Sequence, residues 1–233
     1  MPALIALPGT LLDGRSLSAA LAECGARVEV LGTCAALDDE LDRLAGLAAT
    51  PTCWLGHSLG GIVALQLAVR HPHKVAGLVL RGANARAGRH AGAARRGAQW
   101  ALAQQQGLKA LAHSKLAPGY GLGEGDALLA SLAAQAEAVG LKRFANQLAY
   151  QRQRPGLLEP RRALALPVLA LSGEHDLLCP PAHSDEIVAL VQPPHPAWHH
   201  RLLGAGHLLP MQHPSRIAAQ VKHFLTFLEE SCR

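Results

Sequence analysis

Short apolar runs at residues 3–7, 27–31, 52–55, 75–81, 167–172 and 198–203 alternate with longer segments whose apolar positions recur every three or four residues. Runs of that length, bounded by Gly, Pro and polar residues, predict buried strands. The repeats between them predict helices over 16–24, 37–48, 61–70, 182–191 and 215–229. The last opens with Pro214-Ser215, a stop and a cap, and sets Ile217, Val221, Phe224, Leu225 and Leu228 at helical spacing. His71-Pro72 closes the third helix, because a residue before proline is pushed out of the helical region. Strand and helix in alternation predict an α/β fold: a mostly parallel sheet of about six strands, flanked by helices on both faces.

Residues 84–165 break this alternation. They carry helical patterns over 99–111, 126–139 and 141–152 and no convincing strand. A Gly-rich stretch, Gly119-Tyr120-Gly121-Leu122-Gly123-Glu124-Gly125, divides them; it follows no strand and fits neither a dinucleotide fingerprint nor a P-loop, so it reads as a hinge or turn. The simplest organisation is an α/β body from 1–83 and 166–233 with a helical insertion over 84–165. Charge follows the same division. The insertion holds 12 Lys or Arg against 4 Asp or Glu, and the remainder 10 against 13, so a mildly acidic body carries a basic insert. A basic insert attracts acidic partners or anionic substrates, unless its charges merely solvate helix faces.

Composition narrows the function classes. Apolar residues make up 49% of the chain and charged residues 17%, which permits a large core. Aromatics at 3% leave little material for base stacking, and no nucleic-acid module is recognisable. No run of about 18 uncharged apolar residues predicts a membrane span. The first ten residues have no basic region ahead of their apolar stretch and read as a first strand, with a cytoplasmic protein as the expectation. Cys24, Cys34, Cys53, Cys179 and Cys232 are odd in number and form no C-x-x-C pair, so free thiols are expected. His195, His199 and His200 lie in a Pro-broken stretch that does not read as a metal site.

The chemistry is concentrated in Gly56-His57-Ser58-Leu59-Gly60-Gly61, a G-x-S-x-G directly after one apolar run and directly before a helical pattern. A serine on so sharp a strand-to-helix turn sits on a strained backbone, and Gly56 and Gly60 lack the β-carbons that would stop the turn closing. The hydroxyl would stand at the carboxyl end of the strand, with the Leu59 amide beside it at a helix N-terminus. The bland reading is a serine that only caps the helix. Two further loops weigh against it. Ser172-Gly173-Glu174-His175-Asp176 puts an acid after the fifth apolar run, and Gly204-Ala205-Gly206-His207 puts an imidazole after the sixth. Functional groups of open α/β sheets collect at that edge, and Ser58, Asp176, His207 is the chain order expected for nucleophile, acid and base.

With these residues in place the chain resembles the α/β-hydrolase family over essentially its whole length. The resemblance implies that Leu7-Pro8-Gly9-Thr10 is the loop after the family's first core strand, whose backbone supplies a second oxyanion donor: the Thr10 amide, with Leu11 the fallback. Pro8 stands where the family usually has His. It also implies that the family's first two strands are missing and that 84–165 is the family's helical cap. A serine nucleophile argues against the dehalogenase and epoxide-hydrolase branches, which use aspartate there.

The activity implied is cleavage of a carboxylic ester through an acyl-enzyme, with Ser58, His207 and Asp176 as catalytic residues and the Leu59 and Thr10 amides as oxyanion hole. The substrate would be a small acyl ester, with an acidic acyl carrier protein as a possible partner, and no metal or organic cofactor is needed. A thioesterase or lactonase would use the same groups, and a ligand-binding relative without turnover would share the fold. His57, Glu174, His175 and His213 read as structural. Trp100, Tyr120, Phe144 and Tyr150 read as the insertion's own core, with pocket lining as the alternative.

Overall fold

The computed structural model describes residues 2–22, 24–88, 92–158 and 162–231; Cys232 lies outside the described residues. The strands are β1 (Leu4–Leu7), β2 (Arg27–Val28), β3 (Thr52–His57), β4 (Val75–Arg81), β5 (Val168–Gly173) and β6 (Ala197–Leu202). They pair in the order β2-β1-β3-β4-β5-β6, and every pairing is parallel. The helices of the body are α1 (Arg15–Leu21), α2 (Leu37–Leu47) and α3 (Leu59–Arg70). Between β4 and β5 come α4 (Ala93–Leu111), a π-helical stretch (Ala112–Leu116), α5 (Ala117–Gly119) and α6 (Leu128–Gln153). The body resumes with α7 (Pro181–Val188), α8 (Leu209–Gln212) and α9 (Pro214–Ser231).

Both faces of the sheet are covered. Ile5, Leu7, Trp54, Leu78 and Leu80 pack with α2, α3 and α7 on one side. Alternate residues Leu4, Ala6, Leu55, Val79 and Leu171 pack with α1 and α9 on the other. This period-two division of neighbouring strand residues is what a pleated sheet imposes. The predicted face of the last helix is buried as expected, with Ile217, Val221, Phe224, Leu225 and Leu228 all in the core.

A third cluster is formed mainly by α4, the π-helical stretch and α6. It includes Leu11 and Leu12 from the loop after β1 and Leu208 from the loop after β6. The segment between β4 and β5 is thus anchored to two loops at the carboxyl edge of the sheet. Hydrogen bonds tie it to the same edge. Arg143, Asn146 and Gln147 stand at i, i+3 and i+4 on one side of α6, and donate to the carbonyls of Val30, Gly32 and Leu31 at 2.9, 3.0 and 3.0 Å. Gln147 Oε1 also accepts the Leu11 amide at 2.9 Å, and Gln135 Oε1 accepts the Asp13 amide at 3.1 Å. The Tyr150 hydroxyl donates to the Cys34 carbonyl.

Three expectations are corrected. β2 ends at Val28 instead of residue 31 because the Val30 and Leu31 carbonyls bond α6 side chains. α3 starts at Leu59, directly after Ser58, two residues earlier than its pattern suggests. α4 starts at Ala93, ahead of the predicted 99, and breaks its helical backbone at Gly107. The predicted division of the later helix between 139 and 141 is present as non-helical geometry at Gly140 inside α6.

Gln147 is wholly buried and satisfies two buried backbone groups at once. Leaving such groups without partners costs about 1–3 kcal/mol each. Gln147→Leu, close in volume, is expected to lower unfolding stability by about 2–4 kcal/mol, read as a reduced urea midpoint; an unchanged midpoint would contradict the role assigned to this side chain.

Candidate active site

The turn from β3 to α3 is closed by close packing. A β-carbon on Gly60 would lie 2.0 Å from the Leu7 carbonyl oxygen, and one on Gly56 would lie 2.3 Å from the Gly61 Cα. No L side chain fits at either position. With the helix pressed this tightly on β1, Ser58 takes φ 53° and ψ −116°, a conformation an L residue rarely adopts. Its amide donates to the Arg81 carbonyl at 2.8 Å, which ties the turn to β4. Its hydroxyl makes no capping bond to α3, so the helix-cap reading of this serine does not hold.

The hydroxyl faces His207 instead, with Oγ 2.9 Å from Nε2. His207 Nδ1 donates to Asp176 Oδ2 at 2.7 Å. The other Asp176 oxygen accepts the Leu178 and Cys179 amides at 2.9 and 2.8 Å, so the carboxylate both closes its own turn and orients the imidazole. The loops bearing Asp176 and His207 are tied together: the Gly204 amide donates to Glu174 Oε2 at 3.0 Å, and the His175 amide donates to the Ala205 carbonyl at 2.9 Å. Asp176 and His207 are buried. Three residues separated by up to 149 positions therefore form one hydrogen-bonded chain.

His57 is buried behind this chain, its Nε2 2.9 Å from the His207 carbonyl, which makes Nε2–H the donor. Burial, with repulsion from His207 and Arg81, pushes its pKa well below that of an ordinary histidine, so it stays neutral. This matches the structural role expected of it.

The expected oxyanion donors occupy different situations. Leu59 is the first residue of α3, where helix amides have no intrahelical partner, and it lines the same cavity as Ser58, His207 and Thr10. Thr10 Oγ1 accepts Gln151 Nε2 at 3.1 Å. The fallback donor, the Leu11 amide, is already given to Gln147. That cavity holds about 330 Å³. A larger, open groove of about 740 Å³ between α1 and β2 contains none of these groups.

The expected grouping of aromatics from 84–165 holds for Trp100, Tyr120 and Phe144 and fails for Tyr150. Phe144 and Tyr120 belong to the cluster formed mainly by α4, the π-helical stretch and α6, and Trp100 packs against Phe144 with ring centroids 6.1 Å apart, whereas Tyr150 joins the core of the body. Tyr120, from the Gly-rich turn, also stacks on His207, centroids 5.2 Å apart and planes 13° apart, and lines the cavity. Its only sequence signal was an aromatic residue inside a Gly-rich loop. Two of the three histidines of the Pro-broken stretch use their rings in hydrogen bonds: His199 lies 2.7 Å from both Asp185 and Ser172, and His200 faces Gln220 at 2.5 Å.

The family model described as the alpha/beta hydrolase family matches residues 4–220. The chain belongs to that family. No curated protein matches it. Among solved structures it is similar to an esterase from Thermogutta terrifontis with malate bound, at 21% identity and TM-score 0.81, covering 98% of this chain and 90% of that one. It is also similar to the enol-lactonase from Burkholderia xenovorans LB400, at 20% identity and TM-score 0.80, covering 97% and 92%. MenH from S. aureus aligns at 18% identity and TM-score 0.81, covering 98% and 94%. Likeness at these identities is likeness of fold. Among the described residues no helix is long and apolar enough to cross a membrane.

Cys179 lines the cavity two residues beyond Leu177, yet burial pushes its thiol pKa up to about 12. The thiolate is the reactive form, so iodoacetamide at pH 8 is expected to leave Cys179 unmodified in the native protein and to alkylate it in urea. Peptide mass spectrometry reads this directly, and rapid native alkylation would contradict it.

Proposed function

We propose that this protein is a serine hydrolase that cleaves carboxylic esters through an acyl-enzyme. The supporting observation is the Ser58–His207–Asp176 chain opening on a cavity that Leu59 and Thr10 also line. Ser58 Oγ bonds to the ester carbonyl carbon while its proton passes to His207 Nε2. The carbonyl oxygen becomes an oxyanion, which accepts hydrogen bonds from the Leu59 and Thr10 amides. A well-placed donor of this kind contributes roughly 3–4 kcal/mol to the transition state. Commitment of the Leu11 amide to Gln147 supports Thr10 as the second donor.

When the intermediate collapses, the bond to the alcohol oxygen breaks and that oxygen takes the proton from His207. A water molecule then repeats the sequence: it loses a proton to His207, bonds to the acyl carbon and displaces Ser58, which recovers its proton. Asp176 holds Nδ1–H and offsets the imidazolium charge formed in each half. Thioesters and lactones present the same carbonyl carbon to the same groups. The segment 84–165 serves as the cap that shapes the pocket, since Arg95, Leu116 and Tyr120 line the cavity together with Ser58. Free thiols at Cys24, Cys34, Cys53 and Cys179 fit a reducing compartment such as the cytoplasm.

Ser58→Ala is expected to lower kcat on a short p-nitrophenyl ester by about three or more orders of magnitude while circular dichroism and the urea midpoint stay unchanged. Asp176→Asn should cost about 10⁴-fold by leaving His207 in the wrong tautomer. Unchanged turnover in the serine variant would refute the assignment. An organophosphonate should label Ser58 stoichiometrically and fail to label the His207→Ala protein. Folded wild-type protein that resists several such probes would instead be a ligand-binding member of the fold.

A further inference from the structure

The charge distribution of the cavity goes further than the hydrolase reading, on which it depends. The charged residues lining the cavity beside Ser58 include Arg86, Arg95, Lys115 and Arg154, and no Asp or Glu lines it among the described residues. These basic groups come from the segment between β4 and β5 and its flanks, whereas Ser58, Leu59 and His207 come from the body. Their own partners leave most of the positive charge uncompensated. Arg86 is ion-paired with Glu186. Among the described residues Arg154 donates only to neutral oxygens, the Arg86 carbonyl at 3.0 Å and Asn84 Oδ1 at 3.3 Å. Arg95 and Lys115 form no ion pair among the described residues.

Like charges gathered at the wall of a cavity repel one another, and the penalty is larger where water is partly excluded. Arg154 shows both effects. Burial lowers its pKa, and Arg96 and Arg95 push it lower still. An anion entering the cavity would relieve this repulsion, and a neutral ligand would not. Apolar residues complete the lining near the nucleophile, with Leu59, Ile62 and Leu116 among them. A hydrocarbon portion can therefore lie beside Ser58 while a charged end meets the basic groups.

We infer that the substrate is an ester bearing a carboxylate in addition to its scissile bond, with Arg95, Lys115 and Arg154 as the specificity-determining residues that receive it. The carboxylate can sit on the acyl or the alcohol side, and paired esters distinguish the two. Mono-4-nitrophenyl adipate against 4-nitrophenyl hexanoate tests the acyl side. 4-Carboxyphenyl butyrate against phenyl butyrate tests the alcohol side.

In one of these pairs kcat/KM at low salt is expected to be at least about tenfold higher for the anionic ester. That ratio should shrink as sodium chloride is added, since exposed charges are screened. Arg95 and Lys115 are exposed, so the double variant Arg95→Glu/Lys115→Glu should fold, which stoichiometric phosphonate labelling of Ser58 verifies. In it the anionic-to-neutral ratio should fall to one or below. If no ester is turned over but Ser58 is labelled, protection of that label by the anionic monoamide of adipic acid relative to neutral hexanamide supplies the same ratio.

A wild-type ratio near one in both pairs, with the esters cleaved or Ser58 labelled, would overturn this inference and leave the hydrolase reading intact. A high ratio that survives the double charge reversal would overturn the assignment to Arg95 and Lys115. Absence of both turnover and labelling would overturn the hydrolase reading itself.

Discussion

The arrangement of the site depends on one steric constraint: the approach of α3 to β1, so close that only hydrogen fits on Gly60 before the Leu7 carbonyl. A strand that must reverse into a helix within that space has nowhere to put residue 58 except in a sparsely populated region of backbone space. Conformations of this kind cost about 1–3 kcal/mol and persist only when their surroundings over-determine them. Here the bond from the Ser58 amide to the Arg81 carbonyl and a fully buried β3 do so. The strain sets the direction of the hydroxyl, and everything facing it follows: the imidazole, the first helix amide and the cavity mouth.

A second element of order comes from outside the sheet. α6 lies across the ends of β1 and β2 through a row of amide and guanidinium side chains at helical spacing, each reaching a particular main-chain group. Apolar packing alone would tolerate sliding, whereas directed hydrogen bonds to buried carbonyls do not. Leu11 adopts φ 56° while wholly buried, held by its bond to Gln147. The loop after β1 thus takes its shape from a residue more than 130 positions away.

Much of this was legible in the linear pattern. Strand and helix alternation located the six strands, because burial on both faces leaves continuous apolar runs. Ser58, Asp176 and His207 could be picked out because each follows such a run, and the parallel sheet brings strand ends to a common edge. What escaped notice were contacts whose residue types carry no special signal. Gln147 looks like any helical glutamine, and only tertiary structure shows which amide and carbonyl it satisfies. The shortening of β2 has the same origin, since competition from α6 cannot be read from residues 27–31 alone. The contact of Tyr120 with His207 is hidden for another reason: a Gly-rich turn says that the chain reverses but not where its side chains go.

The ring of Tyr120 against His207 joins two parts of the molecule that the gene specifies separately. The segment between β4 and β5 thus furnishes one wall of the seat of the His207 imidazole. Exchanging the segment between β4 and β5 for that of a relative would therefore alter the seat of the imidazole along with the shape of the pocket. Selectivity and turnover would change together in such chimeras, and a transplant that retained an aromatic at that turn would preserve more of the original rate.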